Sequence, residues 1–498
     1  MEQTKKLKRN SISSLINRLV LLVSGLILPR LIILEYGSEI NGLVSSITQF
    51  LSVITFLDLG VGAVVQSALY KPLATNDDKQ ISRVLLSAKR FFQKISLILV
   101  IYVVILIFLS PSIFKQEIQF TSTAILIGAI AFNQFSRFYF GIINELLLNA
   151  DQKSYVQLSS ETLTVILNTF ISVLLILNGF SIVAVKLGTA IIYLIRPIFL
   201  SYYVNKNYNV DYSVTVNEEP IKQKWNGVAQ HLASVVFDNI DIIILSVFST
   251  LENVSVYSVH AMVTNGIKMI ITSLTTGMQS FFGNLLSKEK FDDLNNYFTR
   301  FEWIIHTAVT YLFGMTAFLI TPFVTIYTSG VKDASYYSPT FAILISIAIG
   351  IYSLRLPYNE MIKAAGHYKQ TQNSALIEVV INISISIVGV RLWGLPGVAV
   401  GTLLAVLYRL AYMALYLSKN IVYRPIGQFL KHFMVDCLSM GLGLLVSFSI
   451  PVSVLTITDW LFYAIAFGVI YFLISLIINL TLYKDVTVST FKHLFRSL

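Results

Sequence analysis

The sequence predicts an all-α polytopic membrane protein, and three observations predict it. Of its 498 residues, 55% are apolar and only 12% charged, where a water-soluble domain carries about 25% charged residues. Apolar runs of bilayer-crossing length, about 20 residues each, recur from end to end and give about 14 candidate spans. The basic residues between those runs are distributed unevenly. With the N-terminus inside, three of the 36 Lys and Arg residues fall on outward turns (Lys115, Lys332, Arg391) and 25 on inward segments, including Lys5, Arg9, Lys71, Arg90, Lys222, Lys224, Lys288, Arg424 and Arg496. Such a bias places both termini in the cytoplasm and requires an even number of crossings.

In order, the spans fall near 11–36, 41–70, 92–113, 120–149, 155–178, 181–204, 226–249, 253–285, 298–327, 337–363, 373–392, 395–418, 431–451 and 458–483. The first is too long for a signal peptide and lacks a small-residue cleavage site, so it is read as retained. Between the second and third, Asp77 to Phe91 places Ile81, Val84, Leu85 and Ala88 at helical spacing among basic residues. That pattern predicts an interfacial helix on the anionic inner leaflet. Tyr203 to Trp225 is the longest polar connection and separates the first six spans from the next six. The net charge of +10 fits a membrane surface through this placement, and nucleic acid is not an expected partner. Cys437 is the single cysteine, so there is no disulfide framework.

The chain also repeats itself at an offset of about 215 residues. Asn144, Glu145 and Ala150 correspond to Asn359, Glu360 and Ala365, and Gly179 with Val183 to Val185 corresponds to Gly394 with Val398 to Val400. Six helices per repeat is an even number, so the copies share an orientation, and parallel repeats of that kind place a substrate site between two lobes near the midplane.

Eight cations lie inside spans: Arg18, Arg30, Arg137, Lys186, Arg196, Lys268, Arg355 and Arg409. Charges at this depth are costly and normally face a bundle interior or a wet cavity. Snorkelling to the headgroups accounts for Lys186 and is an alternative for Arg18 and Arg30. Arg137 sits midway along its span, with Asn133 and Asn144 on the same helical face; Arg355, Asn359 and Lys363 make a similar stripe, as do His260, Thr264 and Lys268. Guanidinium forks suit phosphate, so Arg18, Arg30, Arg137, Asn144, Lys268, Arg355 and Asn359 are the candidate anion-binding residues. The alternative pairs the arginines with acids such as Glu145 or Glu360. In the seventh span His231, Ser234, Asp238 and Asp241 share a narrow arc, and two carboxylates so placed do not both ionise cheaply. His231, Asp238 and Asp241 are read as a proton or sodium site, or else as salt-bridge partners of the arginines.

No GxxxxGK[ST] phosphate loop, HExxH motif or Cys/His metal spacing occurs, so neither ATP hydrolysis, a bound metal nor a cofactor is expected, and no nucleophile argues for an enzyme. The run ILPRLIILEYGSEINGLVSSITQFL, the motif FLDLGVG (Phe56 to Gly62), QSALYKPLA (Gln66 to Ala74), EPIKQKWNGVAQH (Glu219 to His231) and AAGHYKQTQ (Ala364 to Gln372) resemble Gram-positive polysaccharide flippases of the Wzx type. These belong to the superfamily that also holds the MATE multidrug exporters and the peptidoglycan-precursor flippases. The resemblance implies two six-helix lobes, residues 1–215 and 216–420, followed by two additional helices and a cytoplasmic tail over 421–498. It also implies the bacterial cytoplasmic membrane, capsular or exopolysaccharide synthesis, a partner polymerase machinery, and an undecaprenyl-diphosphate-linked oligosaccharide as substrate. Cation exporters of the superfamily carry an acid in the first helix, where this chain has Asn17, Arg18 and Arg30; that departure favours an anion. Pro29 is the expected bending point of that helix. The alternatives are an ion-coupled small-molecule exporter and, against the shortness of every outward turn, a membrane polymerase or ligase.

Overall fold

A computed structural model describes residues 2–58, 60–114, 119–211, 213–214, 228–448, 456–484 and 486–488. Lys115, Lys222, Lys224, Arg496, the stretch 219–227, the side chain of Asp58 and the lobe boundary expected at 215/216 lie outside the described residues. Among the described residues all regular elements are helical, and 12 helices are long and apolar enough to cross a membrane. The chain is a multi-pass integral membrane protein. It divides into two compact units, Met1–Ser255 and Val256–Leu498.

The first unit begins with α1 (Glu2–Val53), α2 (Val61–Thr75), α3 (Asp78–Phe114) and α4 (Phe120–Ser136). It continues with α5 (Ile142–Ala150), α6 (Ser154–Leu177), α7 (Ile182–Ile192), α8 (Ile195–Asn207) and α9 (Val228–Phe248). Polar side chains zip α1 to α6 and the turn before it: Lys6 to Asp151, Asn10 to the Tyr155 amide, Asn17 to Thr162 and Ser24 to Thr169, always 145 residues apart. A constant separation means that the two helices run in the same direction. Hydroxyl and amide pairs of this kind tie helices together where lipid offers no hydrophobic drive. The first crossing ends at Gly37, whose φ of 87° and ψ of 169° suit glycine and almost nothing else. The non-helical backbone inside α1 is thus at Gly37 and not at Pro29.

Two expected elements differ in detail. The span at 41–70 is divided by a 3₁₀ turn over Ile54–Asp58 and a left-handed Gly60. The expected interfacial helix is the first part of the continuous α3, and Ile81, Val84, Leu85 and Ala88 are buried in the core of the unit. An apolar stripe at helical spacing looks the same whether lipid or protein covers it; here protein does.

Ser255 is the last residue of the first unit. The turn leading to it is seated on α1: Asn41 donates to Ser255 at 2.7 Å, Ser246 donates to Ser46 at 2.7 Å, and a side chain at Gly42 would run into the backbone of Leu251. The remaining elements are α10 (Leu251–Thr275), α11 (Met278–Ser287), α12 (Phe291–Tyr327), α13 (Pro339–Leu354) and α14 (Leu356–Ala364). After them come α15 (Tyr368–Trp393), α16 (Leu395–Asn420), α17 (Gly427–Phe448) and α18 (Ile457–Leu482). The span expected at 253–285 is α10 with α11; Glu252, His260, Asn265 and Lys268 make it too polar to stand among the 12.

Candidate functional site

In the first unit the chemistry gathers where α4 gives way to α5. The join is a π-helical turn over Arg137–Gly141, a feature that inserts one residue and rotates the helix beyond it. Asn133 and Arg137 consequently line a cavity of about 390 Å3 with Glu145, Gln157, Glu161, Tyr193 and Arg196. Asn144 takes another direction: it is buried and donates to Ser201 at 3.0 Å.

Glu145 joins two guanidinium groups. Its Oε2 lies 3.3 Å from Nε of Arg137, and its Oε1 lies 2.9 Å from Nη2 of Arg196, which also reaches Glu161 at 3.5 Å. Two cations thus face two carboxylates. Charges inside a low-dielectric bundle persist when they are paired in this way. The two arginines differ in access. The Arg137 side chain is 49% exposed and that of Arg196 17%, so Arg196 anchors and Arg137 presents. Nε of Arg196 and Oε1 of Gln134, both buried on this cavity wall, have no hydrogen-bond partner among the described residues.

The second unit holds a matching group. Arg355, at the break between α13 and α14, donates to Glu378 on α15. The other oxygen of Glu378 lies 3.7 Å from Nε of Arg409 on α16. Arg409 is buried and donates to the Thr371 carbonyl at 3.0 Å and to Ser374. Arg355 follows Arg137 by 218 residues, Glu378 follows Glu161 by 217 and Arg409 follows Arg196 by 213. Each unit therefore carries an arginine pair clasped by glutamate, on successive helices. The second group holds one more positive than negative charge, and Lys268 adds another. Its ammonium lies 3.9 Å above the Tyr352 ring, whose centre is also 3.8 Å from the Arg355 guanidinium. An aromatic face between two cations relieves part of their repulsion.

The other sequence-selected residues are spread out. Arg18 is half-buried and Arg30 exposed on α1. Asn359 turns toward Glu360, at 3.5 Å, and Glu360 pairs with Lys363 at 3.1 Å. On α9, His231 and Asp238 are exposed and Asp241 is buried. Sequence reasoning passed over Glu161 and Glu378, because it followed cations and paid little attention to acids in the same apolar runs. It also passed over a buried group on α12 and α17 comprising Glu302, His306, His432 and Asp436. The signal was present in each case, as an ionisable residue inside a span. Among the described residues no three His, Cys, Asp or Glu could hold a metal ion together.

Residues 228–388 match the sequence model of the MatE family. Comparison with curated proteins gave no match. Among solved structures, the chain is similar to lipid II flippase MurJ in an inward closed conformation, with a TM-score of 0.69 and 17% identity over 96% of this chain and 99% of that one. It is similar to an inward-facing multidrug resistance MATE family transporter of the MOP superfamily, with a TM-score of 0.62 and 15% identity over 83% and 98%. A eukaryotic MATE transporter, AtDTX14, aligns with a TM-score of 0.58 and 11% identity over 87% and 99%. Residues 228–388 thus match the MatE family model, and the chain as a whole has the fold shared by these MurJ and MATE structures, the fold that the sequence resemblance implied.

Proposed function

We propose that the chain is a transporter that moves an undecaprenyl-diphosphate-linked oligosaccharide from the cytoplasmic to the outer leaflet of a bacterial cytoplasmic membrane. One observation carries the reading: membrane-crossing helices of each unit hold an arginine, the exposed Arg137 or the largely buried Arg355, backed by a second arginine and a glutamate. The glutamate fixes the orientation of the fork, and a pre-set guanidinium makes charge-assisted contacts to phosphate at little entropic cost. The hydrated sugar would occupy polar space such as the cavity around Arg137, while the polyprenyl chain stays in lipid.

Alternating access then needs a driving force. One charge crossing 100 mV is worth about 2.3 kcal/mol, so a diphosphate of about two negative charges leaving an inside-negative cell gains about 4–5 kcal/mol. The potential alone suffices, and an ion bound at His231, Asp238 and Asp241 is an addition to it. In this reading both termini are cytoplasmic, the glycan feeds a polymerase outside, and Arg18, Arg30, Asn144, Lys268 and Asn359 are secondary contacts to the substrate.

A second reading, an ion-coupled exporter of small cations, draws on Glu145 and Glu161 facing the cavity of the first unit. Proteoliposomes separate the two. Fluorescent lipid-linked saccharide should cross faster under an imposed potential, with no transport of cationic drugs. Drug transport without lipid movement would favour the exporter.

A further inference from the structure

The second unit contains a chain of buried polar groups that the arginine sites do not use. His306 on α12 lies with Nδ1 2.5 Å from Oδ2 of Asp436 on α17 and Nε2 3.1 Å from the Tyr358 hydroxyl on α14. Tyr358 donates to Oε1 of Glu302 at 2.5 Å. Glu302 is also bound by Arg424 from the turn before α17, and its Oε2 lies 3.6 Å from Nε2 of His432. Thr310 donates to Oδ1 of Asp436 at 2.8 Å. From the last helix side, Tyr471 donates to the Thr310 carbonyl at 3.0 Å, and the Tyr483 ring stacks on His432 at 4.7 Å. Among the described residues these are the titratable and charged groups bonded or stacked around His306 and its partners, and the imidazole itself is 1% exposed.

Hydrogen counting fixes where the protons sit. Glu302, paired with Arg424, is an acceptor only, so the single Tyr358 proton goes to it. The phenol oxygen must then accept from His306, which places a hydrogen on Nε2. A neutral imidazole with that hydrogen turns a lone pair toward Asp436 at 2.5 Å, and two acceptors do not approach so closely. One further proton lies between Nδ1 and Oδ2. With it, Glu302, Asp436, Arg424 and His306 sum to zero charge; without it, they carry one buried negative charge.

A small polar cavity adjoins the site. His306, His432, Asp436 and Asn479 line a cavity of about 10 Å3, about the room that one water occupies. Trp303, Thr307, Ser475 and Asn479 belong both to that cavity and to an open apolar groove of about 410 Å3 on α12 and α18.

We propose that His306 and Asp436 form a proton-binding site whose occupancy couples the transport cycle to the pH gradient. Proton bound, the pair ties α17 to α12; proton released, lone pair and carboxylate repel, and α17 shifts along the wall of the groove. Proton-carrying chains of His and acid residues in membrane helices are the usual device for such coupling. The coupling half of this proposal rests on the transport reading; the proton site itself does not.

Two measurements test it. In nanodiscs with ¹⁵N-histidine label, one of the six histidines should show both ring nitrogens protonated at pH 7.5. That signal should vanish in His306→Gln and in Asp436→Asn, and shrink in Tyr358→Phe, which removes the acceptor of the Nε2 hydrogen and the hydroxyl that donates to Glu302 but leaves the His306–Asp436 pair itself in place. A neutral His306 signal at pH 7.5 would overturn the site. In proteoliposomes held at zero potential, a pH gradient of one unit, a tenfold ratio of proton activity, should change the wild-type rate of lipid-linked saccharide movement severalfold. His306→Gln and Tyr358→Phe should flatten that response. An unchanged gradient response in both would overturn the coupling and leave a static ion pair. If wild-type protein moves no lipid, the transport reading fails, and the proton site is decided by the nitrogen signal alone.

Discussion

Arg355 donates from Nη1 to one carboxylate oxygen of Glu378, while the other oxygen of Glu378 lies 3.7 Å from Nε of Arg409. One acid thus orders two cations at membrane depth, and Arg409, at 2% exposure, has no route to water if that acid is lost. Glu378→Gln should destabilise the protein by about 3–5 kcal/mol, the usual cost of leaving a buried charge without its partner. Thermal unfolding in detergent reads this as a fall in Tm. Glu161→Gln, at a partly exposed acid 3.5 Å from Arg196, should cost about 1 kcal/mol or less.

Arg137 should behave differently, because much of its side chain is already solvated. Arg137→Ala should leave stability within about 1 kcal/mol of wild type yet abolish lipid movement, and Arg137→Lys should retain part of the activity, keeping the charge but losing the fork. Transport rates measured beside Tm separate loss of binding from loss of folding.

These pairings show what was legible in the sequence. The helical class and its spans followed from apolar runs and the lopsided basic residues, and the arginines stood out because lipid rejects charge. Their partners did not stand out. From the internal repeat, Glu145 and Glu360 looked equivalent, yet Glu360 pairs with Lys363 and Glu378, one helix later, takes the arginines. The face shared by Asn133, Arg137 and Asn144 assumed about 3.6 residues per turn, and the π turn at Arg137–Gly141 rotates Asn144 toward Ser201. His306 and Asp436 lie 130 residues apart, and no local pattern announces a contact of that range.

Asp151, between α5 and α6, gives a pH prediction outside the spans. Burial pushes its carboxyl up, but hydrogen bonds from Lys153 and Tyr208, with the charges of Lys153 and Lys6, outweigh it and hold it below its ordinary 3.8. A depressed carboxyl contributes stability above its unfolded value and loses it as pH falls through its folded value. The N-terminal turn of α1, tied down through Lys6, should therefore loosen below pH 3.8. Asp151→Asn should loosen it at neutral pH as well. Limited proteolysis at Lys5 and Lys6 would report both.

Gly42 lies against the backbone of Leu251, so a β-carbon there has nowhere to go. Gly42→Val should cost at least about 1–3 kcal/mol through overpacking. Asn41→Ala, which loses the hydrogen bond to Ser255 but forces no backbone apart, should cost about 1 kcal/mol. Parallel unfolding curves of the two variants check the ranking.

The central claim is that the guanidinium groups of Arg137 and Arg355 recognise a lipid diphosphate. Its most direct measurement is binding of undecaprenyl diphosphate to the purified protein, against undecaprenol, for wild type and for Arg137→Ala and Arg355→Ala. Each missing charge-assisted contact removes about 1.5–3 kcal/mol, so either variant should bind the diphosphate about ten- to a hundredfold more weakly while the alcohol is unaffected. Equal affinity of wild type for diphosphate and alcohol, or undiminished diphosphate binding in both variants, would contradict the account.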